Sequence, residues 1–460
     1  CNRKENPPNT GKLIYFYDKV ICMFRNLCKS FPLFLLLFFD SLAATESFSN
    51  VFCGKMLDTQ TGLVQSNVTI NIDHGSGKIR SVRFNDVFAN PNNLDTLDLS
   101  NYFCLPGLID MHTHISEGTS RTLVEYLTVT QQDQLVIGRV NVQKTLLAGF
   151  TSVRDLGVYI AWTDKALRDE INSGLTNGPR MQISGFYLTI PGGGGDIDIP
   201  GYSGNVPAHI RQGVTQGTEN FRLRAEAAVA GGADLLKMIA SGAVLAFGSI
   251  PGSPEMTPDE IAMVVTVGHN AGMKVTAHAH GAQSIKDAIL AGVDSIEHAS
   301  LIDDEGIRLA RDNGVALSMD IYNGDYISTV GKEENWPEEF LRKNRETTDE
   351  QRSGFTKAHQ AGVRIVYGTD AGVYPHGDNA KQFSYMVKQG MTSVEAIQAA
   401  TVHAADVMGW GNQVGRINPG FFADIVALRD NPISDIQALE KIDVVIKGGQ
   451  LYKLEGKLFN

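Results

Sequence analysis

Leu105-Pro106-Gly107-Leu108-Ile109-Asp110-Met111-His112-Thr113-His114 is the stretch on which the reading of this chain turns. The apolar run after Pro106-Gly107 reads as a β-strand, and a strand's period of two puts His112 and His114 on one face, where two imidazoles can hold one cation. Such a pair alone is weak evidence. It gains weight because further strand-like runs end on residues of ligand type: Lys237 after Ala233-Asp234-Leu235-Leu236, His278 in Val275-Thr276-Ala277-His278, His298 in Ser295-Ile296-Glu297-His298, and Asp370 in Val366-Tyr367-Gly368-Thr369-Asp370. The six together are spaced like the ligand set of a two-metal hydrolase.

Outward from this stretch the chain alternates strand and helix. Strands are expected at Leu105 to Ile115, Thr151 to Arg154, Arg180 to Ser184, Leu235 to Ile239, Lys274 to Ala279, Ser295 to Ala299, Val315 to Asp320 and Arg364 to Asp370. Helices separate most of them. The one after Thr257-Pro258-Asp259-Glu260 opens with a capping-box threonine, proline at the first helical position and glutamate to close the box, and Thr392-Ser393-Val394-Glu395 opens another. Eight such units predict an α/β (β/α)8 barrel over residues 105–410, with its chemistry at the carboxyl ends of the strands. All six candidate ligands fall there. Residues 45–104 and 411–460 carry short alternating runs such as Val68-Thr69-Ile70-Asn71-Ile72 and predict one small β-sandwich domain built from both chain ends.

With 460 residues, one large domain plus a smaller one is the natural expectation, and 43% hydrophobic content suffices for a buried core. The net charge of −11 argues against nucleic acid or an anionic membrane as the main partner. Residues 1–44 read differently. From Met23, Arg25 and Lys29 precede the apolar run Phe31 to Phe39, and Ser41, Ala43 and Ala44 follow, the layout of a secretory signal. The run is shorter than the roughly 20 residues a spanning helix needs. A secreted or periplasmic enzyme without stable membrane association after processing is the expectation. Cys53 and Cys104 would then remain, both in strand-like segments of the small domain; two separate buried thiols is the reading adopted, with a disulfide as the alternative.

The chain resembles the amidohydrolase superfamily, and within it a prolidase-like group of metal-dependent dipeptidases and carboxypeptidases related to imidazolonepropionase. The matching stretches are residues 105–114, Leu236-Lys237-Met238, Ala277-His278-Ala279-His280-Gly281, Ile296-Glu297-His298, Gly368-Thr369-Asp370-Ala371-Gly372 and Pro419-Gly420-Phe421-Phe422-Ala423-Asp424-Ile425-Val426. The resemblance implies two divalent metal ions, zinc by expectation. His112 and His114 would hold the first and His278 and His298 the second, with Lys237 carboxylated by carbon dioxide as the anionic bridge. An ammonium cannot ligate a cation, so Lys237 would ligate only as that carbamate; the alternative is a lysine whose stem packs on the barrel while its head pairs with a carboxylate. Two ions would bring the pKa of a water between them towards neutrality, and Asp370, also a metal ligand, would take its proton as the catalytic base.

His280 shares a strand face with His278 and competes with it for the ligand role; the resemblance assigns His278 as ligand, which leaves His280 to support the ligands or to contact substrate. Arg154 and Tyr322 are candidate donors to a substrate's terminal carboxylate, or else structural, Arg154 beside Asp155 and Tyr322 packed in the barrel mouth. His376 and Asp378 are candidates for the pocket wall. Gly194 stands where related sequences often carry histidine, and the run Gly192 to Gly195 suggests a mobile loop. The charged stretch Asn323 to Thr356 is expected to be a lid. The function implied is hydrolysis of a peptide bond in a small molecule or short peptide, by a dipeptidase or carboxypeptidase. The alternatives are a cyclic-amide, lactone or organophosphate hydrolase, and a catalytically inactive binding protein. Homo-oligomerisation is left open.

Overall fold

The computed structural model describes residues 48–87, 95–118 and 123–459. The signal-like segment Met23 to Ala44 lies outside the described residues. Four strands come first: β1 (Asn50–Asp58), β2 (Leu63–Asp73), β3 (Lys78–Arg83) and β4 (Thr96–Pro106). Eight parallel strands follow: β5 (Leu108–Thr113), β6 (Phe150–Asp155), β7 (Arg180–Ile183), β8 (Leu235–Ile239), β9 (Lys274–Ala279), β10 (Ser295–His298), β11 (Ala316–Ser318) and β12 (Ile365–Val366). The chain closes with β13 (Ile425–Leu428), β14 (Val444–Lys447), β15 (Gln450–Leu454) and β16 (Lys457–Leu458).

Both chain ends contribute to one eight-stranded sheet in the order β16-β15-β14-β13-β4-β1-β2-β3. Its apolar residues, from Ile79 on β3 through Val51, Val68 and Ile425 to Leu451 on β15, pack into one cluster. Cys53 and Cys104 form a disulfide, which corrects the expectation of two separate thiols. β1 and β4 pair in parallel, with a register shift between Cys53 and Lys55. The pairing brings the two Cα atoms to 6.1 Å, within bonding reach.

Each of the eight parallel strands is followed by helix, beginning with Gln131–Leu147 after β5 and ending with Gln382–Lys388 and Ser393–Gln398 after β12. The helix Pro258–Asn270 has the expected capping box, Thr257 accepting from the Glu260 amide and Glu260 accepting in return. β5-β6-β7 and β8 to β12 form two sheets. Backbone bridges at Leu188/Met238 and Thr113/Ala371 join them at both ends. Outward-facing strand residues such as Leu236, Met238, Val275, Ala277 and Leu317 merge with the helices' buried faces in one large apolar cluster. Period-two alternation therefore sends Lys237 and His278 the other way, into the interior of the strand ring.

Several strands are shorter than their sequence suggests, β12 most of all. β12 ends at Val366, but backbone bonds from Met111 to Tyr367 O and from Asp370 to His112 O continue its contact with β5. The chain then turns sharply, with Asp370 at φ 57°. The stretch expected to be a lid is helical, comprising Asn323–Tyr326, Ile327–Gly331 and the long helix Glu338–Gln360. Its outer face is charged and its inner face carries the buried Phe340, Asn344, Thr347 and Gln351. The glycine run is held in place rather than loose: Gly192, Gly194 and Gly195 donate to Asp196, Glu255 and Thr189. A Cβ at Gly194 would stand 2.8 Å from that of Ala243, so this backbone leaves no room for a side chain. Among the described residues, no helix is long and apolar enough to cross a membrane.

Candidate active site

Strand ends deliver His112 and His114 (β5), Lys237 (β8), His278 (β9), His298 (β10) and Asp370 (after β12) to one cavity. His112 Nε2 and His114 Nε2 lie 3.3 and 3.1 Å from the same oxygen, Asp370 Oδ1. His278, His280 and His298 form a second group, their rings 4.4 to 4.7 Å apart. The ligand atoms within each group lie within 4.8 Å of one another, as do those of His298, Asp320 and Asp370. His280 thus joins the ligand-type cluster itself, with Nδ1 2.8 Å from Ser300 Oγ.

Backbone geometry explains part of this convergence. His298, Ala299 and Asp370 adopt left-handed φ of 70°, 49° and 57°. Such conformations cost about 1–3 kcal/mol each and persist where surrounding structure holds them. At His298 the turn breaks the strand's alternation, so Glu297 and His298, though consecutive, both face the interior. Gln351 on the lid helix holds the turned backbone, donating to His298 O at 3.1 Å and to Asp320 Oδ1 at 2.9 Å. The same Asp320 oxygen lies 3.0 Å from His298 Nδ1, which leaves His298 Nε2 as the ring's free lone pair. Asn323 Nδ2 donates to Asp320 Oδ2 and, at 3.2 Å, to Asp370 Oδ2.

Burial decides the charge states. It lowers the pKa of His112 to about 4, aided by Lys237, and of His280 to about 3, aided by His298. It also pushes His278 well below its ordinary value. These imidazoles are neutral, the form that ligates metal. His114 is different: burial opposes its charge, but Asp370 outweighs it and lifts the pKa to about 9. Asp370 in turn stays ionised, because His112 and His114 overcome the burial that favours its neutral form. A cation would replace the proton that His114 and Asp370 share.

Lys237 is 2% exposed, and burial lowers its pKa to about 8 against the pull of Glu297 and Asp370. Its Nζ has no hydrogen-bond or ion-pair partner among the described residues. Four or five imidazoles, a carboxylate and an unpaired lysine make a donor set that fits two divalent ions.

The two expected carboxylate donors lie elsewhere. Arg154 is buried across the strand ring, donating to Met111 O at 2.7 Å, Ser295 Oγ at 3.0 Å and Glu297 Oε1 at 2.6 Å. Its guanidinium is consumed by structure, and its partner is Glu297 rather than the adjacent Asp155. Tyr322 packs edge-on against Tyr374 and at a tilt against Tyr385, outside the cavity lining. His376 packs behind His114, its Nε2 3.2 Å from His114 O, and Asp378 pairs with Lys381. In their place the cavity is lined by residues the sequence did not mark: Glu117, Tyr187, Asp320, Asn323 and Gln351. Asp320 had a usable signal, since it follows β11 as Asp370 follows β12. Gln351, deep in a helix, had none.

A model of the amidohydrolase family matches residues 103–452. Ochratoxinase from Aspergillus niger is 31% identical over 376 residues, 76% of each chain. Among solved structures, a Xaa-Pro dipeptidase with methionine bound in its active site is 35% identical, with a TM-score of 0.80 over 88% of this chain and 99% of the other. A prolidase complexed with N-methylphosphonate-L-proline is 27% identical, with a TM-score of 0.81 over 88% of this chain and 99% of the other. The matched span contains every strand of the ring and every residue of the histidine, lysine and aspartate cluster, and the chain belongs to the amidohydrolase family.

Proposed function

We propose that this chain is a two-metal hydrolase of amide bonds acting on dipeptides or on the carboxyl end of short peptides. The observation that carries the reading is Lys237, a buried amine without a hydrogen-bond or ion-pair partner among the described residues, in the cavity lined by the ligand cluster. An unpaired ammonium there is costly. As the carbamate it becomes an anion with two ligand oxygens. With its pKa near 8, enough free amine exists at neutral pH to attack carbon dioxide, forming the N–C bond and releasing one proton. His112, His114 and Asp370 would hold one ion and His278 and His298 the other, with carboxylated Lys237 shared between them.

When bound, two divalent cations, zinc by the imidazole-rich donor set, would acidify a water and polarise the scissile carbonyl. The chain's own groups do the rest. Asp370, ionised and steadied at Oδ2 by Asn323, accepts the water's proton and returns it to the leaving nitrogen. Asp320 and Gln351 fix the His298 ring, and Phe340 and its neighbours on the lid helix wall the cavity from solvent.

The dipeptidase preference draws on the likeness to the Xaa-Pro dipeptidase and the prolidase. One observation favours a second reading: Arg154 and Tyr322 stand outside the cavity lining, so a grip on a terminal carboxylate has lost both expected donors. A cyclic-amide or lactone substrate needs no such grip. The ring of eight strands is read as a (β/α)8 barrel, and the sheet from both chain ends as a β-sandwich folded over its shared core. Export to an oxidising compartment is supported by the Cys53–Cys104 disulfide together with the signal-like segment. Zinc-loaded protein assayed against a dipeptide library, the same dipeptides amidated, and a lactone panel tests the reading. Turnover of free dipeptides is expected; turnover of lactones alone would replace the peptidase with the second reading.

A further inference from the structure

Beside His114, three tyrosines line the cavity in a row. His114 and Tyr187 have ring centroids 5.8 Å apart, Tyr187 and Tyr159 5.4 Å at 67°, and Tyr159 and Tyr126 4.7 Å at 57°. The row is built into the fold. Tyr187 lies flat against the backbone at Gly157, where a Cβ would come within 2.7 Å of its ring and φ is +117°. The carbonyl of the same Gly157 lies 2.9 Å from His114 Nδ1, so one residue places both the histidine and the first tyrosine. Tyr187 Oη donates to Glu117 at 3.2 Å, which fixes the ring's rotation. Behind the row, Tyr159 and Tyr126 rest on a separate apolar cluster of Ile160, Ile197, Ile199 and Ile210.

We propose that Tyr187, Tyr159 and Tyr126 form a subsite for a flat aromatic ring carried on one side of the scissile amide. Centroid spacings between 4.5 and 7 Å at steep angles are those at which aromatic rings attract one another, and a rigid row loses little freedom when a fourth ring joins it. The same cavity is also lined by Leu245, Ile327, Phe340 and Val373, which supply mainly aliphatic surface. The lining thus combines an aromatic row beside His114 with a separate group of mainly aliphatic side chains. A substrate with a ring on one side of the bond and an aliphatic group on the other fits both.

The inference rests on the amide-hydrolase reading, and its test separates the two. Two dipeptide series, one varied on the carbonyl side and one on the nitrogen side, each carry phenylalanine or its saturated counterpart cyclohexylalanine at the varied position. In one series phenylalanine should exceed cyclohexylalanine in kcat/KM by roughly two- to tenfold. That ratio should persist in Tyr159→Phe and fall to about one in Tyr159→Leu. Calorimetric binding of N-acetylphenylalanine against N-acetylcyclohexylalanine reads the subsite without turnover. If no dipeptide is cleaved but the binding preference holds and depends on Tyr159, the peptidase reading fails and the subsite stands. Equal kcat/KM in both series together with equal binding, or a preference that survives Tyr159→Leu, overturns the subsite.

Discussion

Two layers of the strand ring each bury a cation, and they treat it in opposite ways. In the layer crossed by Arg154, each guanidinium nitrogen finds an acceptor in Met111 O, Ser295 Oγ or Glu297 Oε1; Thr276 and Ser295 also donate to Oε1, and Oε2 lies 3.1 Å from His112 Nδ1. In the layer above, Lys237 is as deeply buried but has no hydrogen-bond or ion-pair partner among the described residues, and it lines the same cavity as histidines whose ligand atoms lie within 4.8 Å of one another. A buried charge is tolerated where pairing satisfies it, and an unsatisfied cluster persists in a fold only when something else completes it. The paired layer holds the strands in place; the layer with the unpartnered lysine is where the proposed metal ions and chemistry are assigned.

The comparison can be broken at either layer. Asp370→Asn removes the proposed base from the upper layer while keeping the shape of the side chain, and kcat should fall by roughly 10²–10⁴ in steady-state assays of the metal-loaded protein. A near-normal kcat moves the proton transfer to another group. In the lower layer, Arg154→Met strands Glu297 without its partner. Urea unfolding of the metal-free protein should show a loss of about 3–5 kcal/mol. Lys237→Met, by contrast, should leave metal-free stability unchanged or raised, since no pair is broken. Equal losses in the two variants would erase the distinction.

The pH dependence of metal loading gives a smaller effect with a definite sign. Because burial lowers the Lys237 pKa to about 8, the free amine accumulates as pH rises to that value and saturates above it. At constant dissolved carbon dioxide, the reconstitution rate should rise roughly tenfold from pH 7 to pH 9 and then level off. A rate still climbing about eightfold from pH 9 to pH 10 would mean an ordinary lysine. Smallest of all, Tyr322→Phe should leave the ratio of kcat/KM for free and amidated dipeptides unchanged within about twofold, because its hydroxyl stands outside the cavity lining.

All six ligand-type residues were legible in the sequence because strand ends announce themselves. An apolar run followed by histidine, lysine or aspartate needs only the period of two and the rule that such folds work at the carboxyl ends of their strands. The roles of Arg154 and Glu297 were not legible for the same reason. Period two applied to Ser295-Ile296-Glu297-His298 puts Glu297 and His298 on opposite faces, and only the left-handed turn at His298 brings both inside. With Glu297 inside, Arg154 has a partner across the ring; without it, Arg154 looks free to bind substrate. Asp110 was hidden likewise. Quoted as part of a strand, it proves to be the buried acceptor for Thr369 and Asn379 that ties β5 to the segment bearing Asp370. The disulfide depended on a strand register that spacing alone does not encode.

The central claim is that Lys237 is completed as a carbamate between two cations. Protein reconstituted with zinc in ¹³C-labelled bicarbonate should bind two zinc ions per chain by elemental analysis and show a carbamate carbon resonance. Lys237→Ala should lose both the resonance and the bound zinc, with partial recovery of zinc and activity on adding a short-chain carboxylic acid. Two zinc ions bound equally by wild type and Lys237→Ala, with no carbamate signal in either, would contradict the account.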